Sequence, residues 1–212
     1  GGDPSAILGQ LVSNGRVFLI NPNGIAFGAN ARVDTAGLIA STLDIKDADF
    51  IAGRYAFAGD DQAGAISNEG YIKAARGGEI VFIAPTIENA GTLRVDGGQL
   101  ILAAGKSVKL ASLDVDDVTF QVQAPADKVV NLGKLLAEQG AIGVFAGTLA
   151  NSGTISANAL SRDTGGRIVL SAVADITQSA AGVTSAAGAS GGDIRISSAD
   201  GTTSVDGKGA AR

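Results

Sequence analysis

The sequence contains no cysteine, which excludes disulfides, thiolate nucleophiles and cysteine-ligated metal sites. That absence leaves the compartment open, and it also suits a chain that crosses a membrane unfolded and must not cross-link on the way. Histidine is missing too, removing the commonest general base. With no Trp or Met, and aromatics at only 4% of 212 residues, the composition suits thin, regularly stacked layers better than a globular core built around large rings. The 16 basic residues are scattered among 21 acidic ones, for a net charge of −5, so no basic patch exists to follow a phosphate backbone. Nucleic acid is therefore not an expected partner. Long hydrophobic runs are lacking as well. The longest uncharged apolar stretch, Ala141 to Leu149, is interrupted by Gly and falls short of the ~20 residues a bilayer span needs. The chain is not expected to span a membrane. Its opening Gly1-Gly-Asp-Pro shows no signal-peptide pattern and reads as the interior of a longer protein.

What the chain does have is a supply of small and β-branched residues, with 45% apolar residues and 31 glycines, arranged in repeats. Ile66-Ser-Asn-Glu-Gly-Tyr-Ile-Lys-Ala74, Ile87-Glu-Asn-Ala-Gly-Thr-Leu-Arg-Val95 and Leu149-Ala-Asn-Ser-Gly-Thr-Ile-Ser-Ala157 share the form apolar-x-Asn-x-Gly-x-apolar-x-small. A second element begins at Gly77-Gly78, Gly97-Gly98, Gly165-Gly166 and Gly191-Gly192, each pair followed by x-Ile/Leu-x-apolar. Both recur about every 20 residues. Within each unit the pattern alternates with period two: Leu93 and Val95 point inward while Arg94 and Asp96 point outward, and Ile194 and Ile196 likewise against Arg195 and Ser197. These strands are too short for helices, and no helical segment of crossover length links them. Gly and Asn between them tolerate the corners.

A coil satisfies all of this: a single-stranded parallel β-helix, all-β, with one repeat per turn and its strands paired to the turns above and below. About ten turns, ~4.8 Å apart, predict a rod on the order of 50 Å. Two readings of Asn68, Asn89, Asn131 and Asn151 stand: a ladder of amides bonded from rung to rung, or plain turn residues. The repeat fails in two places. Leu43 to Asp61, carrying Phe50, Tyr55 and Phe57, predicts an excursion from the coil whose rings pack on one face. Asp114 to Lys128 predicts an edge hairpin or an irregular rung around the strand Val118 to Val122. After Ala180 the sequence thins to Ala, Ser, Gly and Thr, so the last turns are expected to be the least stable.

At Asn21-Pro-Asn-Gly-Ile25 a stiff turn separates two strand-like runs. Pro22 presets φ for the first central position of a β-turn, Asn21 can bond its side chain to backbone two residues on, and Asn23 and Gly24 accept the conformations that complete it. Ile20 and Ile25 are expected to enter the core on either side. The motif is a fold-defining corner or a surface another protein touches; the corner is favoured, and both can hold.

Catalytic and cofactor chemistry finds no foothold. The carboxylates of Asp44, Asp47 and Asp49, of Asp60 and Asp61, and of Asp114, Asp116 and Asp117 read as solvated loop groups, with no outward acidic column at the repeat's period. The Gly-Gly pairs lack the third Gly and the Asp of a Ca²⁺-binding nonapeptide, and no helix follows them to make a phosphate loop. No catalytic residue, metal or cofactor is expected. A carbohydrate-active β-helix enzyme remains the rival from another class. Tyr55 and Tyr71 are the exposed-aromatic candidates for a glycan, and the ligand stays open.

The motifs do carry a resemblance. Gly2-Asp-Pro-Ser-Ala-Ile-Leu-Gly-Gln-Leu, Gly15-Arg-Val-Phe-Leu-Ile-Asn-Pro-Asn-Gly-Ile25, Ala40-Ser-Thr-Leu-Asp-Ile45 and Asp49-Phe-Ile-Ala-Gly-Arg-Tyr-Ala-Phe57 resemble the two-partner secretion domain of filamentous haemagglutinin-type exoproteins. The resemblance implies a right-handed β-helix recognised by the periplasmic domains of an outer-membrane β-barrel transporter. It further implies export through the periplasm to the cell surface or medium, as part of an adhesin that binds a host or cell-surface glycan or protein. Residues 1–65 are then the later part of the secretion domain, and 66–212 are rungs that begin an adhesin shaft. A toxin-delivery exoprotein is a relative with the same fold. The family's earlier part, with its signal peptide, capping strands and second Asn-Pro-Asn motif, has no counterpart here, which places part of the recognition surface in doubt.

Overall fold

The computed structural model describes residues 2–60, 62–110, 112, 118–122, 126–159 and 165–211. Its short strands stack into three parallel sheets that wrap one cylinder, a parallel β-helix. The second full rung shows the plan. Ile25–Phe27 lies in the first sheet, Arg32–Thr35 in the second and Gly37–Ser41 in the third. Each pairs in parallel with its counterparts above and below, as Ile66 pairs with Ile25 and with Ile87 in the first sheet.

The first two sheets each hold eight strands, so among the described residues there are eight rungs instead of about ten. At ~4.8 Å per step the cylinder runs roughly 35 Å from first rung to last. The missing turns have a physical cause. Ile25 pairs with Ile66, and Ile87 with Val129, each about two repeat lengths on, because the chain leaves the coil between them. Later steps are longer too, with Leu149 paired to Ile176 and Ile176 to Thr203.

Alternation fills the interior. Ile25, Ile66, Ile87 and Val129 from the first sheet meet Val33, Ile72 and Leu93 from the second and Leu38, Ile80 and Leu100 from the third, all buried. Phe27 and Phe82 stack in parallel at 5.7 Å in this core. Burial thins toward the end: Ile194 and Ile196 are half-buried against the core, and Thr203 and Val205 are exposed.

The third sheet departs from alternation. Glu79–Ala84 and Ala141–Ala146 are buried at every position, as a strand covered on both faces must be. Its outward side chains Ile39, Val81, Ile83, Ile101 and Phe145 form a second core with Leu43, Ile45, Phe57, Val108 and Leu110. What covers them is one four-stranded antiparallel sheet, ordered Val118–Gln121, Ser107–Leu110, Tyr55–Ala58, Asp44–Ile45. The two stretches that break the repeat are thus parts of one structure, joined across some fifty residues of chain by Tyr55 pairing with Leu110 and Ala58 with Ser107. The hairpin reading of the second stretch holds for Val118–Gln121 against Ser107–Leu110; Asp114, Asp116 and Asp117 lie outside the described residues. Ile20 is corrected: it packs into this outer cluster, whereas Ile25 enters the inner core. Ile20 ends a third-sheet strand facing outward and Ile25 begins a first-sheet strand facing inward, so the two isoleucines pin the corner from different sides of the wall.

Candidate functional site

The corner at Asn21 uses its polar groups internally. The Gly24 N–H donates to the Asn21 carbonyl at 3.1 Å, closing a β-turn over Pro22 and Asn23. Asn21 Oδ1 accepts from the Asn23 N–H at 3.0 Å and from Asn23 Nδ2 at 3.2 Å. Asn21 Nδ2 reaches back to the first rung, donating to the Asp3 carbonyl at 3.1 Å and to Ser5 Oγ at 2.9 Å. Gly24 takes φ = 119°, outside the reach of a side-chain-bearing residue, and is buried. Asn23 keeps negative φ, since Gln139 is the one non-glycine with positive φ among the described residues. Pro22 and Asn23 are exposed.

The corner is tied to the excursion. The Gly64 N–H donates to the Pro22 carbonyl at 2.7 Å, and a β-carbon on Gly64 would lie 2.6 Å from the Asn23 carbonyl group. Pro22, Thr42, Asp44, Ala58 and Asp60 line one cleft between them. On the other side the helix Asp47–Ile51 sets Phe50 edge-on to Phe18 at 4.9 Å, and Tyr55 stacks on Phe18 at 5.9 Å. Arg54 Nε bonds Asp49 Oδ1 at 2.9 Å, closing the turn after the helix. Asp44 caps the Ile45 N–H at 2.9 Å and Asp60 the Gln62 N–H at 2.9 Å, which are local structural duties.

An ion pair with no signature in the repeat spans these rungs. Arg16 in the first rung and buried Glu79 in the third join side chains across Gly37, the residue between them in the sheet. A β-carbon on Gly37 would collide with the Glu79 carboxylate. The bond to Glu79 holds the Arg16 guanidinium above its usual pKa, against the opposing effect of burial, with Glu79's charge and Tyr55 adding to the rise. Only the three-dimensional stacking makes Gly37 informative.

A second set of polar residues forms a column at the corner between the first and second sheets. Asn68 Nδ2 donates to Asn89 Oδ1 at 2.8 Å, Asn89 to Asn131 at 2.9 Å, and Asn131 to Asn151 at 2.8 Å. Asn151 then donates to Gln178 Oε1 at 3.3 Å, so Gln178 extends the column although it lacks the Asn-x-Gly signature. Two of the carbonyl ends also serve their own turns: Asn68 Oδ1 accepts from the Gly70 N–H at 3.1 Å and Asn151 Oδ1 from the Gly153 N–H at 3.2 Å. Below Asn68 the same position in the register is Phe27, two residues past Ile25. The Asn21–Ile25 corner and the Asn column are therefore distinct features: the corner joins the first two rungs, and the column starts at the third rung and runs to the seventh. Tyr55 is committed to Phe18, and Tyr71 stands about one-third exposed on the second sheet. Among the described residues, no three His, Cys, Asp or Glu side chains come together as a metal site.

Comparison with known proteins decides the family. The family model of the TPS secretion domain matches residues 1–210. The chain belongs to the TPS secretion domain family. The crystal structure of the HMW1 secretion domain from Haemophilus influenzae superposes on this TPS domain with a TM-score of 0.74 at 29% identity, covering 87% of this chain and 57% of that one. Two heme/hemopexin-binding proteins of Haemophilus influenzae, one from strain Rd, are 46% identical over 46 residues, 22% of this chain and 5% of theirs. The TPS domain thus spans a small part of those curated relatives. Exoproteins of two-partner secretion are exported through the periplasm to the cell surface or the medium, and that is the route of a TPS domain.

Proposed function

We propose that this domain is what an outer-membrane β-barrel transporter recognises, through its periplasmic domains, on a large exported protein. One observation carries the reading. The corner and the excursion, which hold three of the four segments that carry the resemblance, meet around a single cleft lined by Pro22, Asp44 and Ala58, so one end of the cylinder presents both. In this reading Asn21–Ile25 acts as scaffold: Asn21 bonds within the fold, Gly24 and Ile25 are buried, and only Pro22 and Asn23 face outward. Residues 1–65 carry the recognition end and 66–212 begin an adhesin shaft, stiffened by the Asn column. The adhesin's target on a host or cell surface is a glycan or protein met by regions beyond this domain.

A non-enzymatic role accords with the faces of the rod. The outward column of the first sheet runs Ala26, Ser67, Glu88, Val130, Ala150, Thr177, with a single carboxylate and no repeated acid. Haem binding, named for the Haemophilus relatives, draws no support from this segment, since His, Met and Cys, three common axial ligands, are all absent. The test is an export assay. Residues 1–212 are placed between a signal peptide and a reporter and expressed with or without the cognate transporter. Reporter in the medium only when the transporter is present is the expected result; periplasmic retention in both strains would overturn the reading.

A further inference from the structure

The dipeptide Asn23-Gly24 pairs an amide side chain with a following backbone nitrogen that no β-carbon hinders. In a mobile chain that pair cyclises. The deprotonated Gly24 nitrogen attacks Cγ of Asn23, a C–N bond forms, and ammonia leaves. Water then opens the succinimide at either carbonyl, giving aspartate or isoaspartate, with no oxidant or reductant involved.

The folded corner obstructs each requirement of this reaction. The Gly24 nitrogen holds its proton in a hydrogen bond to the Asn21 carbonyl at 3.1 Å, and Gly24 is buried. The Asn23 side chain is turned toward Asn21, donating to its Oδ1 at 3.2 Å, while the Asn23 N–H donates to the same oxygen at 3.0 Å. Gly64 packs beside the Asn23 carbonyl, where a β-carbon would sit 2.6 Å away, and its N–H holds the Pro22 carbonyl at 2.7 Å, so the backbone rotation that ring closure needs is resisted.

We propose that Asn23 is a spontaneous deamidation site that folding closes, and that its modification in the unfolded chain prevents the corner from forming. Both products work against the corner. Either carboxylate replaces a donor to Asn21 Oδ1 with a negative charge, and isoaspartate also lengthens the main chain where Gly64 packs beside it. A chain that waits unfolded therefore records its age at Asn23, whereas a folded one does not. The consequence for export rests on the transporter reading above; the modification itself does not.

The experiment needs no transporter. The folded domain and the same domain in urea are incubated at mildly alkaline pH, and peptides spanning Asn23 and Asn14 are followed by mass spectrometry and isoaspartate labelling. Asn14-Gly15 is the internal reference, because the Gly15 N–H meets only Ser13 Oγ at 3.1 Å and a β-carbon on Gly15 would touch nothing nearer than that oxygen, at 3.7 Å. Modification at Asn23 should be roughly tenfold or more slower in the folded domain than in urea, since attack waits on local opening. Protection at Asn14 should be smaller. Aged urea samples are then refolded, and isoaspartate at 23 should concentrate in the fraction that fails to regain its circular dichroism, while an Asn23→Ser variant aged alike refolds in full. Equal rates at Asn23 in the two states, or modified chains that refold as well as fresh ones, would overturn the proposal.

Discussion

Gly24 shows how one backbone angle can matter more than the space around it. A β-carbon there would find its nearest neighbours at 3.4 Å and beyond, ordinary contact distances, so a Gly24→Ala variant meets no clash. The penalty comes from φ = 119°, which an L-residue rarely adopts, and should be about 1–3 kcal/mol in chemical denaturation. In the Asn column the cost has a different origin. Asn89→Ala removes the acceptor for Asn68 and the donor to Asn131, leaving two buried amides without their best partners. At about 1–3 kcal/mol for each orphaned buried group, a loss near 3 kcal/mol is expected, against little change for exposed Asn30→Ala.

Arg16, Gly37 and Glu79 make a third case. Gly37→Ala pushes on the Glu79 carboxylate and Glu79→Gln removes its charge, so both break the same pair, and the double variant should cost less than the two single costs added, by about 0.5–3 kcal/mol. The pair's alkaline limit follows from sign. With the Arg16 pKa raised in the fold, its contribution is complete below the ordinary guanidinium value and fades only as pH rises through the raised one. A denaturation series from neutral to moderately alkaline pH should therefore show no loss from this pair.

At the scale of elements, the antiparallel sheet matters most. Phe57, only 1% exposed, packs between it and the third sheet. Phe57→Ala should cost about 3–5 kcal/mol. Hydrogen exchange should locate the damage in Tyr55–Ala58, Ser107–Leu110 and the third-sheet strands beneath, with rungs beyond Arg167–Ala172 keeping their protection, because each strand of the cylinder pairs only with the rungs directly above and below it. Uniform loss along the rod would contradict that picture.

Much of this level can be read in the sequence. The Asn-x-Gly and Gly-Gly signatures mark corners where backbones approach too closely for any side chain: a β-carbon on Gly91 would lie 2.2 Å from the Gly70 carbonyl oxygen, and on Gly98 2.0 Å from that of Gly78. Period two marks the faces of the first two sheets. The unbroken apolar runs of Ile80 to Ala84 and Leu100 to Ala104 also signal a sheet covered on both sides, a feature that counting repeats passes over. Pairing of Tyr55 with Leu110 was not legible, because antiparallel contacts between distant segments leave no period. The same holds for Arg16 and Glu79, which meet only when three rungs are stacked.

For the whole molecule, the rod is a sum of rungs strengthened at one end. There the corner, the excursion and the Arg16–Glu79 pair join the early rungs to strands contributed as late as Val118–Gln121. A chain emerging N-terminus first completes this end only after about half of it has been delivered, and each later rung then adds to a finished template. The proposed division of labour between a recognition end and a shaft rests on that asymmetry.

The most direct test of this account is calorimetric titration of the domain with the periplasmic domains of its own transporter, alongside an Asn23→Ala, Gly24→Val double variant whose fold is followed by circular dichroism. The account predicts binding by the native domain, and loss of binding only to the extent that the variant fails to fold. A well-folded native domain that does not bind would contradict it.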